Sequence, residues 1–263
     1  MIPPTSIDGT DITGATIDGT DVQEITVDGD VVFSAAPDLP VAYSNLIAWY
    51  PFDSAEYGGS NTDDVTSILS GSGDSTNYSL SPENTAPTYS SSGGVNDINA
   101  GANSGAFDFD GTNQGFDTGL DSAGNFSTRT VTCWFNTPNF SNTHAPIGTD
   151  NTGFDWAIFL GNNTIGAFTG SGTISDTFNY ANNFHFVAGI WEPGVRTELY
   201  VDGGTTPFAS SSTCTTENAD SWRIGRTGPG SSRFLDGIVD DVRIYDTALT
   251  GSQIDQIYQN TQP

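Results

Sequence analysis

The sequence predicts an all-β fold, a two-sheet antiparallel sandwich preceded by a small module of repeated β-hairpins. Three observations lead to this fold class. Short aromatic and β-branched runs recur along the chain, separated by turns that use many of its 31 glycines. Only 14% of the residues are charged, and serine, threonine and asparagine fill much of the remainder. The first 34 residues repeat an Ile/Val-Asp-Gly motif three times.

The opening repeat predicts an arm of three hairpins in residues 1–34. Its motif stands at residues 7–9, 17–19 and 27–29. Asp-Gly between β-forming residues favours a two-residue hairpin, because a type I′ turn needs positive φ at both central positions. Isolated hairpins are marginally stable in water, so the arm must pack on the rest of the chain, on copies of itself or on another protein. The residues expected to serve assembly are Ile7, Ile17, Val27 and Val31.

The remainder divides into a linker, residues 35–44, and the sandwich, residues 45–263. The linker carries prolines and small residues. Residues 57–105 predict a long loop with at most two short strands. Strands then follow regularly, and alternation places Phe107 and Phe109 on one face of theirs. The chain closes with a short helix, for which Thr250 and Gln253 fit a capping box.

The charge of the chain is one-sided. The net charge is −26, and all six basic residues are arginine. Such a surface repels itself in dilute buffer, and at about 1 M salt a Debye length of about 3 Å removes most of that repulsion. The abundance of aspartate and the lack of lysine resemble proteins of salt-loving archaea and their viruses, although an ordinary acidic secreted protein remains an alternative. Nucleic acid is not expected as a partner, because no basic patch exists.

Neither membrane insertion nor export is predicted. No run of about 20 apolar residues is present, and the start MIPPTSIDGT lacks the basic and apolar regions of a signal peptide. Cys133 and Cys214 either form one disulfide or remain two buried thiols, and the sequence does not decide between these alternatives.

Seven segments, in order, carry a family resemblance. They are AWYPFD, GAFDFDG, RTVTCWFNT, FHFVAGIW, ELYVDG, SWRIGR and LDGIVDDVRIYDTALTGSQIDQIY. Together they resemble the laminin-G-like jelly roll of the concanavalin-A-like lectin/glucanase superfamily, from about residue 45 to 260. The resemblance implies two antiparallel sheets and a binding role. Phe184 and His185 stand where such domains have a Trp-His pair.

No catalytic site is predicted. Glucanases of this fold carry Glu-x-Asp-x-x-Glu on one strand, and none of the six glutamates here has that spacing. Glu192 and Glu198 flank a predicted hairpin tip. Neither histidine has a nucleophile motif near it. We therefore expect a protein that is not an enzyme.

One structural calcium ion is a candidate cofactor. Alternation along GIVDDVRIY places Ile238, Asp240, Val242 and Ile244 on one face. A carboxylate among apolar side chains needs an arginine, a proton or a cation. The family resemblance implies calcium near Asp240, with Asp53 and Asp110 as weaker candidates. An ion pair or a solvated position for Asp240 is the alternative.

Ligand binding is expected to use exposed aromatic side chains. The candidates are Phe140, His144, Tyr180 and Trp191. Trp49, Trp134 and Trp222 lie within strand patterns and are expected in the core.

The first functional hypothesis is a surface protein of a haloarchaeal virus particle, such as a capsid decoration, turret or tail fibre, assembled in the host cytoplasm. Its arm would join copies, as a trimer or pentamer, or bind other virion proteins, and its jelly roll would face host glycans or glycoproteins. The alternatives are a cellular haloarchaeal lectin or adhesin at the cell surface, and a glucanase-like enzyme with a degenerate site.

Overall fold

A computed structural model describes most of the chain. The described residues are 6–7, 10–11, 16–17, 20–21, 24–27, 30–34, 41–52, 62, 78–95, 105–121, 128–138, 142–150, 154–215, 220–228 and 233–263. They divide into two units, Met1–Leu39 and Pro40–Pro263. The boundary between the units falls inside the linker expected at residues 35–44.

The first unit contains three short hairpins. Its strands are β1 (Ser6–Ile7), β2 (Thr10–Asp11), β3 (Thr16–Ile17), β4 (Thr20–Asp21), β5 (Glu24–Val27) and β6 (Asp30–Ser34). They pair as three separate two-stranded antiparallel sheets. Ser6 pairs with Asp11, and Thr16 pairs with Asp21 in the same register ten residues later. The third hairpin keeps this register in its pair Thr26–Val31. The hairpins predicted from the repeat are therefore present.

The second unit is the predicted two-sheet sandwich. After a short 3-10 helix at Tyr43–Asn45 come β7 (Leu46–Tyr50), β8 (Ser81–Glu83), β9 (Thr88–Ser90), β10 (Ala106–Asp110), β11 (Gly115–Asp121), β12 (Arg129–Asn136), β13 (His144–Gly148), β14 (Ala157–Gly161), β15 (Thr164–Phe168), β16 (Thr173–Thr177), β17 (Phe184–Glu192), β18 (Arg196–Val201), β19 (Ala209–Ser211), β20 (Ser221–Ile224), β21 (Asp236–Tyr245) and the helix α1 (Gly251–Asn260).

Two antiparallel sheets face each other in this unit. Among the described strands, one sheet has the order β19-β18-β17-β12-β21-β10-β9, with β7 also paired to β21. The other has the order β16-β15-β14-β13-β20-β11-β8. We call them the eight-stranded and the seven-stranded sheet. Neighbouring strands in space are often distant in sequence, as expected for a jelly roll.

The main core lies between the two sheets. Phe107 and Phe109 enter it from β10, and Val131, Cys133 and Phe135 enter it from β12. These are the faces that the alternating pattern predicts. Both cysteines are buried and free. The structure therefore supports the alternative of two buried thiols over a disulfide.

A second core lies between the outer face of the eight-stranded sheet and α1. Trp49 and Trp134 pack there beside Ile254 and Ile257 of the helix. The helix starts with the predicted capping box: Thr250 Oγ1 accepts from the Gln253 amide, and the Gln253 side chain accepts from the Thr250 amide. The helix α1 therefore covers part of the outer face of the eight-stranded sheet.

One strand departs from simple alternation. A β-bulge interrupts the pairing of β12 with β21, and Asp241 has a φ of 42°. Val239 and Val242 both point into the core between the sheets. Asp240 lies opposite Trp134, which belongs to the second core. The prediction that Asp240 shares a face with Val242 is therefore wrong, because the bulge inserts one extra residue and shifts the alternation.

In the described part of the chain, no helix combines the length and the apolar character needed to span a membrane.

Candidate ligand-binding surface

The outer face of the seven-stranded sheet carries a row of directly paired residues. Phe168 of β15 pairs with Thr173 of β16 on one side and with Ala157 of β14 on the other. Directly paired residues of antiparallel strands point to the same side of a sheet. The neighbouring row contains Ile158 and Ala167, which lie in the core. The row of Phe168 therefore faces away from the core.

Three phenylalanine rings form a cluster on this face, and we call Phe154, Phe159 and Phe168 the phenylalanine patch. The rings of Phe159 and Phe168 are stacked, with 4.8 Å between centroids and 26° between planes. Phe154 meets Phe168 edge-on at 5.7 Å. Phe154 is 46% exposed, and Val195 is the other large hydrophobic residue that the described residues expose. The patch therefore contains one of the two large hydrophobic side chains that the described residues expose.

A glycine lets the ring of Phe159 approach β15 closely. Phe159 pairs directly with Gly166 of β15, and a Cβ placed on Gly166 would collide with the Phe159 ring. The absence of that atom lets the ring lie across β15, where it reaches Phe168. The orientation of the ring is therefore fixed by backbone contact and by stacking.

Hydroxyl groups border the patch on one side. Thr173, Ser175 and Thr177 of the edge strand β16 are exposed. Ser175 pairs with Gly166, so it follows Phe159 and Gly166 in one row. A hydroxyl can both donate and accept a hydrogen bond. The patch therefore joins apolar ring surface to adaptable polar groups.

An arginine and a buried aspartate border the other side. The Arg233 Cζ lies 4.9 Å from the Phe168 centroid, and the guanidinium forms an ion pair with Asp150. Asp150 is 1% exposed. Burial raises the pKa of the Asp150 carboxyl, and the Arg233 guanidinium opposes that rise. Arg233 is about one-third exposed, so its charge borders solvent while its partner does not.

The loop that carries Arg233 is tied to β13 and its end. The Gly228 amide donates to the Asp150 carbonyl at 2.7 Å, and the Leu235 amide closes the loop on the Gly225 carbonyl at 2.8 Å. His144 Nδ1 contacts the Phe234 carbonyl. His144, a predicted ligand residue, therefore lies beside this loop, partly buried.

The far end of the same face is occupied by ion pairs. Glu83 accepts from Arg223 Nε at 3.0 Å and from Arg226 at 3.1 Å. Arg223 also pairs with Asp220 at 2.7 Å. Burial lowers the pKa of Arg226, and the carboxylate of Glu83 opposes that effect. The pairs of Glu83 connect β8 to Arg223 and Arg226 across the intervening strand β11. On this face, the phenylalanine patch combines partly exposed ring surface with exposed hydroxyl groups.

Two of the predicted ligand residues are core residues. Tyr180 is 1% exposed, and its hydroxyl donates to the Gly161 carbonyl. Trp191 is fully buried, stacks on Trp156 at 5.9 Å and donates its indole N–H to the Phe168 carbonyl at 2.6 Å. The prediction that both side chains are exposed is wrong. β17 continues to Glu192 and carries Trp191 into the core, and Tyr180 turns its ring inward to reach the Gly161 carbonyl. Phe140, the fourth candidate, lies outside the described residues.

The residues of the patch were missed in the sequence. Phe159 lies in a segment that is apolar on both faces, which indicates a central strand with both faces covered. The signal that could have located the patch is the pairing of Phe159 with Gly166 on the neighbouring strand. That pairing depends on the strand register, which the sequence does not show.

The predicted calcium ligands do not converge. Asp240 is buried, and its two carboxylate oxygens accept from the amides of Val95 and Asp241, both at 2.7 Å. Asp110 is exposed and lies opposite Asp236 in the strand register. Because positions 236 and 240 are four steps apart along β21, the Cα atoms of Asp110 and Asp240 stand about 13 Å apart.

One ion cannot bind both of these carboxylates, and Asp53 lies outside the described residues. In the part of the chain that the structure describes, no three side chains of histidine, cysteine, aspartate or glutamate form a group able to hold a metal. Asp110 and Asp240 therefore do not share one ion, and calcium at Asp240 stays a prediction.

Glu192 and Glu198 share one arginine. Arg196 donates to Glu192 at 3.0 Å and to Glu198 at 2.9 Å. The Tyr200 hydroxyl also donates to Glu198, and burial together with that carboxylate raises the pKa of Tyr200 to about 12. Both glutamates are thus engaged in an ion-pair network beside the turn of the β17–β18 hairpin.

The sequence matches one protein family over more than half of its length. Residues 109–255 match a laminin-G family described as the concanavalin A-like lectin/glucanases superfamily. The chain belongs to this superfamily. A comparison with curated protein sequences found no match.

Solved structures show the same superfamily fold. Domain 4 of the extracellular arabinanase AbnA from Geobacillus stearothermophilus, in complex with arabinotriose, aligns with a TM-score of 0.51 and 18% identity over 82% of this chain and 98% of that chain. The binding domain of botulinum neurotoxin serotype D aligns with a TM-score of 0.51 and 14% identity, over 82% of this chain and 52% of that chain. The present chain thus spans about half of the neurotoxin binding domain.

Proposed function

We propose that this superfamily member is a non-enzymatic surface protein of a haloarchaeal virus particle, such as a capsid decoration, turret or tail fibre, and that its jelly roll binds glycans of the host surface. The observation that carries the binding role is the phenylalanine patch, which sets the exposed ring of Phe154 and the partly exposed ring of Phe159 beside exposed hydroxyls. The arabinanase domain, which shares this fold, is solved with a bound oligosaccharide. Cell entry of botulinum neurotoxin type C, whose solved structure shares this fold, depends on interaction with two ganglioside molecules.

The placement on a virus particle is supported by charge and by the arm. The net charge of −26 and the lack of lysine suit a surface that works in concentrated salt. The arm forms a unit of its own with three hairpins that pair only within themselves among the described strands. Each hairpin leaves two strand edges open, and open edges are templates for pairing with another chain. We infer that the arm joins copies of this chain, as a trimer or pentamer, or binds another virion protein.

The test is to locate the protein on particles and cells. Antibodies raised against the jelly roll are applied to virus particles and to uninfected cells from a culture of the organism that carries the gene. Gold label on the particles supports the proposal. Label confined to the surface of uninfected cells contradicts it and favours a cellular lectin or adhesin.

Binding is measured in the same salt. Fluorescent full-length protein in about 3 M NaCl should attach to host cells, and treatment of the cells with periodate, which oxidises sugar rings, should abolish attachment. Attachment that survives periodate contradicts a glycan receptor and points to the polypeptide of a surface protein.

A further inference from the structure

We propose that the phenylalanine patch is the glycan site, and that it takes a neutral sugar ring stacked on Phe159 and held by hydroxyls of β16. This inference rests on the proposed function and assigns it a location and a ligand class.

The ring surface is prepared for stacking before a ligand arrives. The Cζ and Cε1 edge of the Phe159 ring lies over Gly166. One face of the ring stacks on Phe168, which is itself 96% buried. The exposed part of Phe159 therefore has one orientation. A sugar ring presents a flat face of C–H groups, and stacking that face on an immobile aromatic ring removes apolar surface from water with little loss of side-chain freedom.

The polar border lies where the hydroxyls of a stacked sugar would point. Ser175 follows Gly166 in the row of Phe159, and Thr173 pairs directly with Phe168. Both side chains are exposed, and they belong to an edge strand. Their hydroxyls can donate to or accept from a sugar hydroxyl, as the ligand requires. A sugar ring over Phe159 can therefore reach Ser175 without any rearrangement of the sheet.

The local charge favours a neutral sugar. Arg233 is the cation beside Phe168, and Asp150 already pairs with it. A chain with a net charge of −26 also repels an anionic ligand as it approaches. A sugar acid would need a guanidinium whose charge is not yet compensated, whereas a neutral sugar needs only hydrogen-bond partners. The ligand class is therefore a neutral hexose or pentose unit.

The size of the surface argues against a protein partner. Stable protein interfaces bury about 800 Å² on each side and have an apolar centre. In the patch, Phe154 is the one ring that is more than one-third exposed among the described residues, and Phe159 is only partly exposed. Such an area matches one or two sugar rings. A bilayer is excluded by the acidity of the chain, since membrane surfaces that attract proteins are anionic.

The test uses the full-length protein in about 3 M NaCl and saturation-transfer NMR. The probes are neutral trisaccharides of arabinose, mannose, glucose and galactose, with a trimer of galacturonic acid as the anionic probe. We expect at least one neutral trisaccharide to receive saturation. The variant Phe159→Ala should weaken its binding at least tenfold, and Ser175→Ala should weaken it about threefold.

Phe208→Ala is the matched control, because Phe208 is another partly buried phenylalanine and packs with Phe178 against the main core between the sheets, whereas the patch lies on the outer face. It should leave sugar binding unchanged. A near-ultraviolet circular dichroism spectrum shows whether each variant keeps the native packing. Should Phe159→Ala disturb it, Ser175→Ala and Phe154→Ala carry the test, because both side chains are exposed.

The outcomes separate this inference from the proposed function. Sugar binding that is the same in Phe159→Ala, Ser175→Ala and the parent chain overturns the site and leaves a glycan-binding protein with another site. Preference for the galacturonic acid trimer overturns the ligand class. Failure of every probe to bind overturns the inference, whereas the location of the protein on particles is decided by the antibody experiment alone.

Discussion

Arg243 lies over the indole ring of Trp49, with 4.9 Å between its Cζ and the ring centroid. Asp241 joins the two, because its Oδ1 accepts from the Trp49 indole at 2.7 Å and from Arg243 Nε at 2.9 Å. Arg243 is fully buried. The bulge in β21 turns the Asp241 carboxylate towards this pair. The negative charge of Asp241 thereby compensates the buried positive charge of Arg243.

The first prediction concerns that compensation. Asp241→Asn keeps the size of the side chain and tolerates the positive φ, but removes the negative charge beside Arg243. Removing one partner of a buried ion pair costs roughly 3–5 kcal/mol. We expect a loss of this order in the free energy of unfolding, measured with urea at constant salt. Asp236→Asn, at an exposed position of the same strand, should change it by less than about 0.5 kcal/mol. Equal effects of the two variants would show that Arg243 does not depend on Asp241.

The second prediction concerns pH and Asp150. Burial holds the pKa of Asp150 above its ordinary value of 3.8 in the folded protein. The stability contributed by the protonated carboxyl is therefore complete below that ordinary pKa and is lost as the pH rises through the folded-state pKa. Asp150→Asn cannot titrate. The free energy of unfolding of this variant, relative to the parent chain, should rise between pH 3 and neutral pH in urea titrations. A difference that stays constant with pH would contradict the raised pKa.

The third prediction separates backbone strain from collision. Gly225 and Gly119 both have positive φ, 78° and 67°, but a Cβ on Gly225 would strike the ring of Phe109, whereas one on Gly119 meets nothing within 4 Å. Gly119→Ala should cost about 1–2 kcal/mol, the penalty for the left-handed conformation. Gly225→Ala should cost about 1–3 kcal/mol more, because it overpacks the core. Unfolding in urea measures both, and equal losses would show that Phe109 moves aside freely.

The fourth prediction concerns the arm. The first 40 residues contain eight acidic and no basic residues. Bringing copies of the arm together therefore sets like charges side by side, and salt screens them. Light scattering of the full-length chain should show a mass that rises from monomer to trimer or pentamer between about 0.1 and 3 M NaCl. A chain beginning at Ala42 should stay monomeric throughout.

A matched pair of triple variants locates the effect. Each variant changes three aspartates to asparagine and so removes three negative charges. The arm variant changes Asp11, Asp21 and Asp30. The control variant changes Asp108, Asp176 and Asp236, which are exposed positions of the sandwich. Only the arm variant should assemble at lower salt. An equal shift in both would mean that net charge controls assembly and that the arm has no special part in it.

The sequence predicted most of the fold because its signals are local. The hairpin pairing of the repeat, the alternation of Phe107 and Phe109, and the capping box at Thr250 each depend on residues a few positions apart, and the structure confirms all three. The side of β21 on which Asp240 lies was predicted wrongly. One inserted residue inverts the alternation, and no local pattern reveals it.

The candidate site was largely hidden from the sequence for a different reason. Its residues come from β14, β15, β16 and two loops, and they meet through strand register. Trp191 and Tyr180 were expected to contact a ligand because they stand near predicted turns, but both fill the core. Phe159 lies in a segment that is apolar on both faces, and its place on the outer face follows from its pairing with Gly166.

The two buried thiols make the chain convenient for spectroscopic labelling. Cys133 and Cys214 are at most 3% exposed, and burial raises the pKa of Cys133 far above its ordinary range. A maleimide reagent should therefore leave the native protein untouched and attach only to cysteines introduced at the surface. Spin labels placed in the arm and on β16 of otherwise unaltered protein would then report the distance between neighbouring copies by pulsed electron resonance.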